Sequence, residues 1–310
     1  MSYWPRDFVE TREGLFFAVV ACGTEEERVP GLLRYVRQGG AFRKLATPEA
    51  DELLRRACPE YLFHSSLRDV DLHGVPLSRI CRHHRPRIRA AALAGSRDPD
   101  PLERKAARVL RLFAGAGIPT AFLGVTGSLL LGAHTEASDI DVVVYDRAHF
   151  HTARETIRAA TARGDLDPMN EDLWEDAFAR RACSLSLEEY VWHERRKHNK
   201  CVIGGTKVDV SLVTCDAADD LVGWRKVAQA EIRAEVRDDG AAFDYPARFG
   251  VAHPEVSEVV AYTNTFTGQA RRGETILARG WKERSGGGDV RLVVGTSREA
   301  GGEFIRVLRG

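Results

Sequence analysis

Three aspartates and one glycine–serine pair are the residues of this sequence whose types and spacing could do chemistry. Asp139 and Asp141 stand two apart in Asp139-Ile140-Asp141-Val142-Val143-Val144, ten residues after Gly127-Ser128. Side chains alternate along a strand, so the two carboxylates share one face and Ile140, Val142 and Val144 share the other. Paired carboxylates repel each other, a poor choice for stability on an apolar strand. A divalent cation between them removes the conflict, and hard oxygen donors suit Mg²⁺ or Mn²⁺ better than zinc. Asp209 lies on the polar side of a second alternating segment, Lys207-Val208-Asp209-Val210-Ser211-Leu212. If that strand pairs beside the first, three carboxylates converge. They can then hold two metal ions roughly 3.5 to 4 Å apart, as in-line phosphoryl displacement requires. Asp209 would also lie close enough to an attacking hydroxyl to help deprotonate it. A glycine turn entering a helix, as at Gly127-Ser128, lets backbone N–H groups and a hydroxyl approach phosphate oxygens.

These residues resemble the DNA polymerase β-like nucleotidyltransferase superfamily. Its pattern is Gly-Ser, a spacer of about ten residues, Asp-x-Asp in an apolar strand, and a later lone Asp in another strand. The string from Gly132 to Asp141, with Ser138 directly before Asp139, matches its "GS…SDID" form. The likeness spans residues 101 to 214, and the flanks are similar to an uncharacterised, mainly archaeal group of predicted nucleotidyltransferases. The resemblance implies transfer of a nucleoside monophosphate from a nucleoside triphosphate such as ATP to an acceptor hydroxyl, with release of pyrophosphate. It gives Asp139, Asp141 and Asp209 the catalytic and metal role, with two Mg²⁺ or Mn²⁺ ions, and Gly127, Ser128 and Ser138 a substrate-binding role. Many relatives carry a basic residue soon after the Gly-Ser. This chain has Leu129, Leu130 and Leu131 there, so help with the triphosphate must come from elsewhere. One source is the basic run from His193 to Lys200, in which Arg195, Arg196 and Lys200 could hold triphosphate or an RNA backbone.

The elements that must position these groups read as α+β: a short mixed sheet with helices, flanked by an N-terminal α/β module and a small C-terminal β domain. The expected segments are 1–97, 98–250 and 251–310. The linker Gly95 to Pro101 ends the first segment. Thr47-Pro48 and Asp100-Pro101-Glu103 mark helix starts. Asp146 and the Ser186–Glu189 box open two more helices. Gly204-Gly205 turns a hairpin ending in the Asp209 strand, and short β-type runs from about residue 255 form an antiparallel sheet or barrel.

With 45 basic and 45 acidic residues the formal charge is zero, which excludes an all-over electrostatic grip on nucleic acid. The six cysteines form no CxxC pair and read as reduced thiols of a cytoplasmic protein. Cys81-Arg82-His83-His84 lacks a second ligand pair for zinc, so surface histidines are the preferred reading. No run reaches the roughly 18 to 20 apolar residues of a membrane span. An RNA acceptor is the first expectation, from the basic stretches and the small β domain. A small molecule, a protein hydroxyl, or a non-catalytic nucleotide- or RNA-binding relative are the rivals.

Overall fold

The structure, a computed structural model, describes residues 2–181, 183–215, 223–295 and 301–309. Contacts divide the chain into two compact units. The first comprises Met1–Ser65, Val70–Asp167 and Asn199–Ala217; the second comprises Ser66–Asp69, Pro168–His198 and Ala218–Gly310. This grouping differs from the three consecutive segments expected from the sequence. The physical reason is a shared core: the N-terminal module buries one of its faces against the element that follows Gly127.

In the first unit, β1 (Phe8–Thr11), β2 (Leu15–Val19), β3 (Arg28–Gln38), β4 (Ala41–Lys44), β5 (Leu62–Ser65), β6 (Val70–Pro76) and β7 (Ile80–His84) form one sheet. Its order is β5-β6-β3-β2-β1-β7, with β4 paired to β3, and every pairing is antiparallel. One face packs Val9, Phe17, Val29 and Leu33 with Ala50, Leu54 and Tyr61, the first two of these three from helix α1 (Thr47–Ala57). The other face packs Phe8, Phe16 and Tyr35 with Leu130. Burial on both sides explains why the β2 segment is an unbroken apolar run instead of an alternating one. Thr47 lies inside α1, and Ala46 holds the capping position without a side-chain hydrogen bond. Of the two start signals there, only the proline acts.

Helices α2 (Pro86–Ala94) and α3 (Pro101–Gly115) lead into β8 (Leu123–Val125), α4 (Gly127–Leu131), β9 (Ile140–Val144) and α5 (Arg147–Arg163). The Asp100–Glu103 capping box is formed in both directions, and Asp146 caps α5 by accepting from the His149 N–H. The hairpin β10 (Lys200–Ile203) and β11 (Thr206–Leu212) completes a four-stranded sheet of order β10-β11-β9-β8. Only β9–β11 is parallel, so this is the short mixed sheet expected. Two of the cysteines are not free thiols: Cys22 and Cys215 form a disulfide with Cα atoms 5.9 Å apart, inside the usual span for such a bridge. They are separated by 193 residues, and only the convergence of the chain after β2 with the chain after β11 brings them together.

The second unit contains α6 (Glu171–Ala179) and α7 (Leu187–Arg195), then β12 (Trp224–Asp238), β13 (Ala247–Ala252), β14 (Glu258–Ala261), β15 (Thr275–Ser285), β16 (Val290–Val294) and β17 (Phe304–Val307). The pairings run β12-β13-β14-β16-β15 and return to β12, closing a ring, while β17 also pairs with β15. Inward Ile232, Ala234 and Val236 alternate with exposed Glu231, Arg233 and Arg237 along β12, the period expected of a barrel strand. The ring starts at Trp224, before the boundary expected at 251, and its β14–β16 pairing is parallel. Among the described residues, no helix is long and apolar enough to cross a membrane.

The run from His193 is not a solvated helix end, because His193, Glu194 and Lys197 are buried. Lys197 pairs with Glu194 and donates to the Thr265 carbonyl at 2.8 Å. His193 Nδ1 lies 2.7 Å from the Glu189 carbonyl, and Nε2 accepts from the Val307 N–H at 3.2 Å. The ring is therefore neutral, protonated at Nδ1. Burial pushes its pKa from the ordinary 6.5 down to about 4. A depressed histidine stabilises the fold fully above pH 6.5, and that contribution fades as pH falls towards 4, reaching a loss of about 3 kcal/mol. Denaturant titrations between pH 7.5 and 4 should show this slope in the wild type and a shallower one in His193→Gln.

Candidate active site

Register brings the acids together. On the parallel pair β9–β11, Asp141 stands directly opposite Asp209, between the partners Ile140–Val208 and Val142–Val210. Opposed residues of neighbouring strands project to the same face, so both carboxylates leave the sheet together while the flanking residues enter the core. Asp139 sits just before β9 begins, two residues from Asp141. The expected alternation stops at Asp141: Val143 is as buried as Val142 and Val144, packing with Tyr145 and Val213.

Three negative groups so close need positive neighbours. Lys207 Nζ lies 2.9 Å from Asp139 Oδ2, and Lys200 Nζ lies 3.7 Å from Asp209 Oδ2. The two lysines are 7% and 5% exposed, against 31% for Asp139 and 17% for Asp209. Burial first, and the Asp209 charge second, push the Asp141 carboxyl above the ordinary carboxylate range, while Arg6 and Lys207 pull it down. Lys200 therefore meets an aspartate where the sequence reading expected phosphate or RNA. Lys207 was missed, although a strand's period of two places it on the face of Asp209 and gave the signal.

Gly127 is fixed by its neighbours. It has φ +67°, and a Cβ there would come 2.3 Å from Asp141 Oδ2. The preceding Thr126 N–H donates to the Asp141 carbonyl at 3.0 Å, so the Gly-Ser turn lies against the aspartate strand. Ser128 follows in α4, which ends at Gly132 in the left-handed conformation. The Ser138 hydroxyl accepts from the Thr135 N–H at 3.0 Å, closing the turn that leads into Asp139. Arg195 and Arg196 belong to the second unit. There they line a cavity of about 800 Å³ with Trp174, Trp192, His198 and Arg309.

Two other clusters have structural explanations. His83 and His84 are not surface histidines: they pair with Asp7 and Glu10 at 2.7 and 2.9 Å. Asp100, Glu103 and His134 could geometrically ligate an ion, yet their oxygens are engaged. Asp100 accepts from the Glu103 N–H and meets His134, while Glu103 accepts from the Asp100 N–H and pairs with Arg89. The Asp139, Asp141 and Asp209 set differs. It offers three hard oxygen donors, two of them partly exposed, and burial pushes the Asp141 carboxyl up. That donor set fits a divalent ion such as Mg²⁺ or Mn²⁺.

The family described as "Nucleotidyltransferase domain" matches residues 107–234. The chain belongs to the DNA polymerase β-like nucleotidyltransferase superfamily, whose enzymes transfer a nucleotidyl group from a nucleoside triphosphate. A relative, the uncharacterized protein MJ1086 of Methanocaldococcus jannaschii, is 31% identical over 335 residues, covering 98% of each chain. No solved structure matches the chain.

Gly127→Ala and Gly132→Ala separate conformational strain from collision. Both glycines have positive φ, but a Cβ at Gly132 meets nothing within 4 Å. Each variant should lose stability by about 1 to 2 kcal/mol from the backbone alone. Only Gly127→Ala should also lose nucleotidyl transfer by more than about tenfold, since its Cβ displaces Asp141. Melting curves and initial rates on both variants check this.

Proposed function

We propose that this chain is a metal-dependent nucleotidyltransferase that moves a nucleoside monophosphate from a nucleoside triphosphate to an acceptor hydroxyl. The observation that carries the reading is the register of Asp209 opposite Asp141, with Asp139 alongside. The acceptor oxygen attacks the α-phosphorus, the bond to the bridging oxygen of the β-phosphate breaks, and pyrophosphate leaves. Asp209 receives the acceptor proton. Asp139, Asp141 and Asp209 would hold two Mg²⁺ or Mn²⁺ ions, which when bound would neutralise charge developing on the phosphate oxygens. Gly127 lets the turn approach the phosphates, Ser128 offers a hydroxyl and N–H, and Ser138 sets the turn that aims Asp139. Lys207 pairs with Asp139 and Lys200 stands beside Asp209, which orients both carboxylates. Catalysis on this reading is positioning and charge neutralisation.

For the acceptor the reading is RNA. Its support is the Trp192 ring in the cavity of the second unit, with the Arg196 and Arg309 guanidinium groups 4.4 and 5.2 Å from it, in a lining that joins Arg195 and His198 to Glu171, Glu175 and Glu188. Cations around an aromatic surface suit a single-stranded nucleic-acid segment.

The test is incubation with each labelled nucleoside triphosphate, ATP included, with Mg²⁺ and total cellular RNA. Label should enter RNA, vanish with a chelator, and fall at least about a thousandfold in the double variant Asp139→Asn, Asp141→Asn. Label on a small molecule or on protein would move the acceptor class. Equal labelling by wild type and double variant would overturn the catalytic reading.

A further inference from the structure

The positions where many relatives carry a cation after the Gly-Ser hold Leu129, Leu130 and Leu131, and these leucines do a different task. Leu129 is fully buried. Leu130 packs with Phe8, Phe16 and Tyr35 of the seven-stranded sheet, and Leu131 and Ala133 lie against the same cluster. Helix α4 is thereby clamped to that sheet, and the segment leading into β1 is brought beside the Gly-Ser turn. Thr126, just before Gly127, donates its hydroxyl to the backbone carbonyl of Arg6 at 2.6 Å.

Arg6 is held there under strain. Its φ is +75°, a region where a residue with a Cβ pays roughly 1 to 2 kcal/mol. The surroundings over-determine it. The Arg6 N–H donates to the Val19 carbonyl at 3.1 Å, and the Val19 N–H returns to the Asp7 carbonyl at 2.9 Å. The Asp7 carboxylate accepts from the Trp4 N–H at 3.1 Å and pairs with His83 at 2.7 Å.

We propose that Arg6 is a substrate-binding residue: it supplies, from the N-terminal sheet, the triphosphate-binding cation that the leucine stretch after Ser128 lacks. The inference rests on the nucleotidyl-transfer reading above. Arginine suits the task, since its planar fork can hold two phosphate oxygens at once.

The experiment is calorimetric titration of the full chain with inorganic tripolyphosphate and with a nucleoside triphosphate, both in Mg²⁺. The variants are Arg6→Gly, which suits the positive φ and removes only the side chain, and Arg6→Lys, which keeps the charge. Arg6→Gly should melt at or above the wild-type temperature yet bind tripolyphosphate at least about tenfold more weakly. Arg6→Lys should recover part of that affinity, and the KM for the triphosphate should rise in step. Wild-type affinity in Arg6→Gly would overturn the role of Arg6 and leave the transferase reading standing. Failure of the wild type to bind either ligand would remove the transferase reading, and Arg6 with it.

Discussion

The parallel pairing of β9 with β11 is the constraint on which the rest of the first unit depends. Adjacent strands lie about 4.8 Å apart, so the Asp141–Asp209 register brings two carboxylates side by side, and the Asp209 charge adds to burial in raising the Asp141 pKa. Buried Lys207 and Lys200, together with Arg6, answer that cost. A parallel pair also needs a long crossover. Here the chain between β9 and β11 includes α5, the residues 168–198 given to the other unit, and the hairpin strand β10.

The N-terminal sheet is part of the same arrangement. Its seven strands bury both faces, one under α1 and one against α4. The second contact explains the composition of α4. A five-residue helix has too few hydrogen bonds to hold its own shape, so apolar side chains must pin it from outside. Leucines after the Gly-Ser do that, and the charge they displace has to come from another part of the chain.

Local signals were legible wherever one interaction decides one element. The Asp100–Glu103 and Ser186–Glu189 boxes, the Asp146 cap and the Gly204-Gly205 turn all state their geometry within a few residues. Strand phase put Asp141 and Asp209 on one face of the β9–β11 pair, and the same phase applied to Lys207 would have found it. Features made by distant segments were not legible. Nothing near Cys22 announces Cys215, and nothing near Arg6 announces Asp141. The strand β12 was missed because its exposed residues carry both signs of charge and its inward residues alternate only from Ile232 on, so its pattern is short. The boundaries at 97 and 250 rested on the Gly95–Pro101 linker and on the short β-type runs from about residue 255. Contacts follow shared cores instead, and a core can be assembled from segments far apart in the chain.

The interleaved division of the chain has a consequence for inheritance. The backbone passes between the two units after Ser65, after Asp69, after Asp167, after His198 and after Ala217. Neither unit is a cassette that one recombination event could insert, delete or exchange. Changes must then accumulate residue by residue across both, and descendants keep the pair together. A relative that aligns over 98% of its own length and 98% of this chain has the form such a lineage leaves behind.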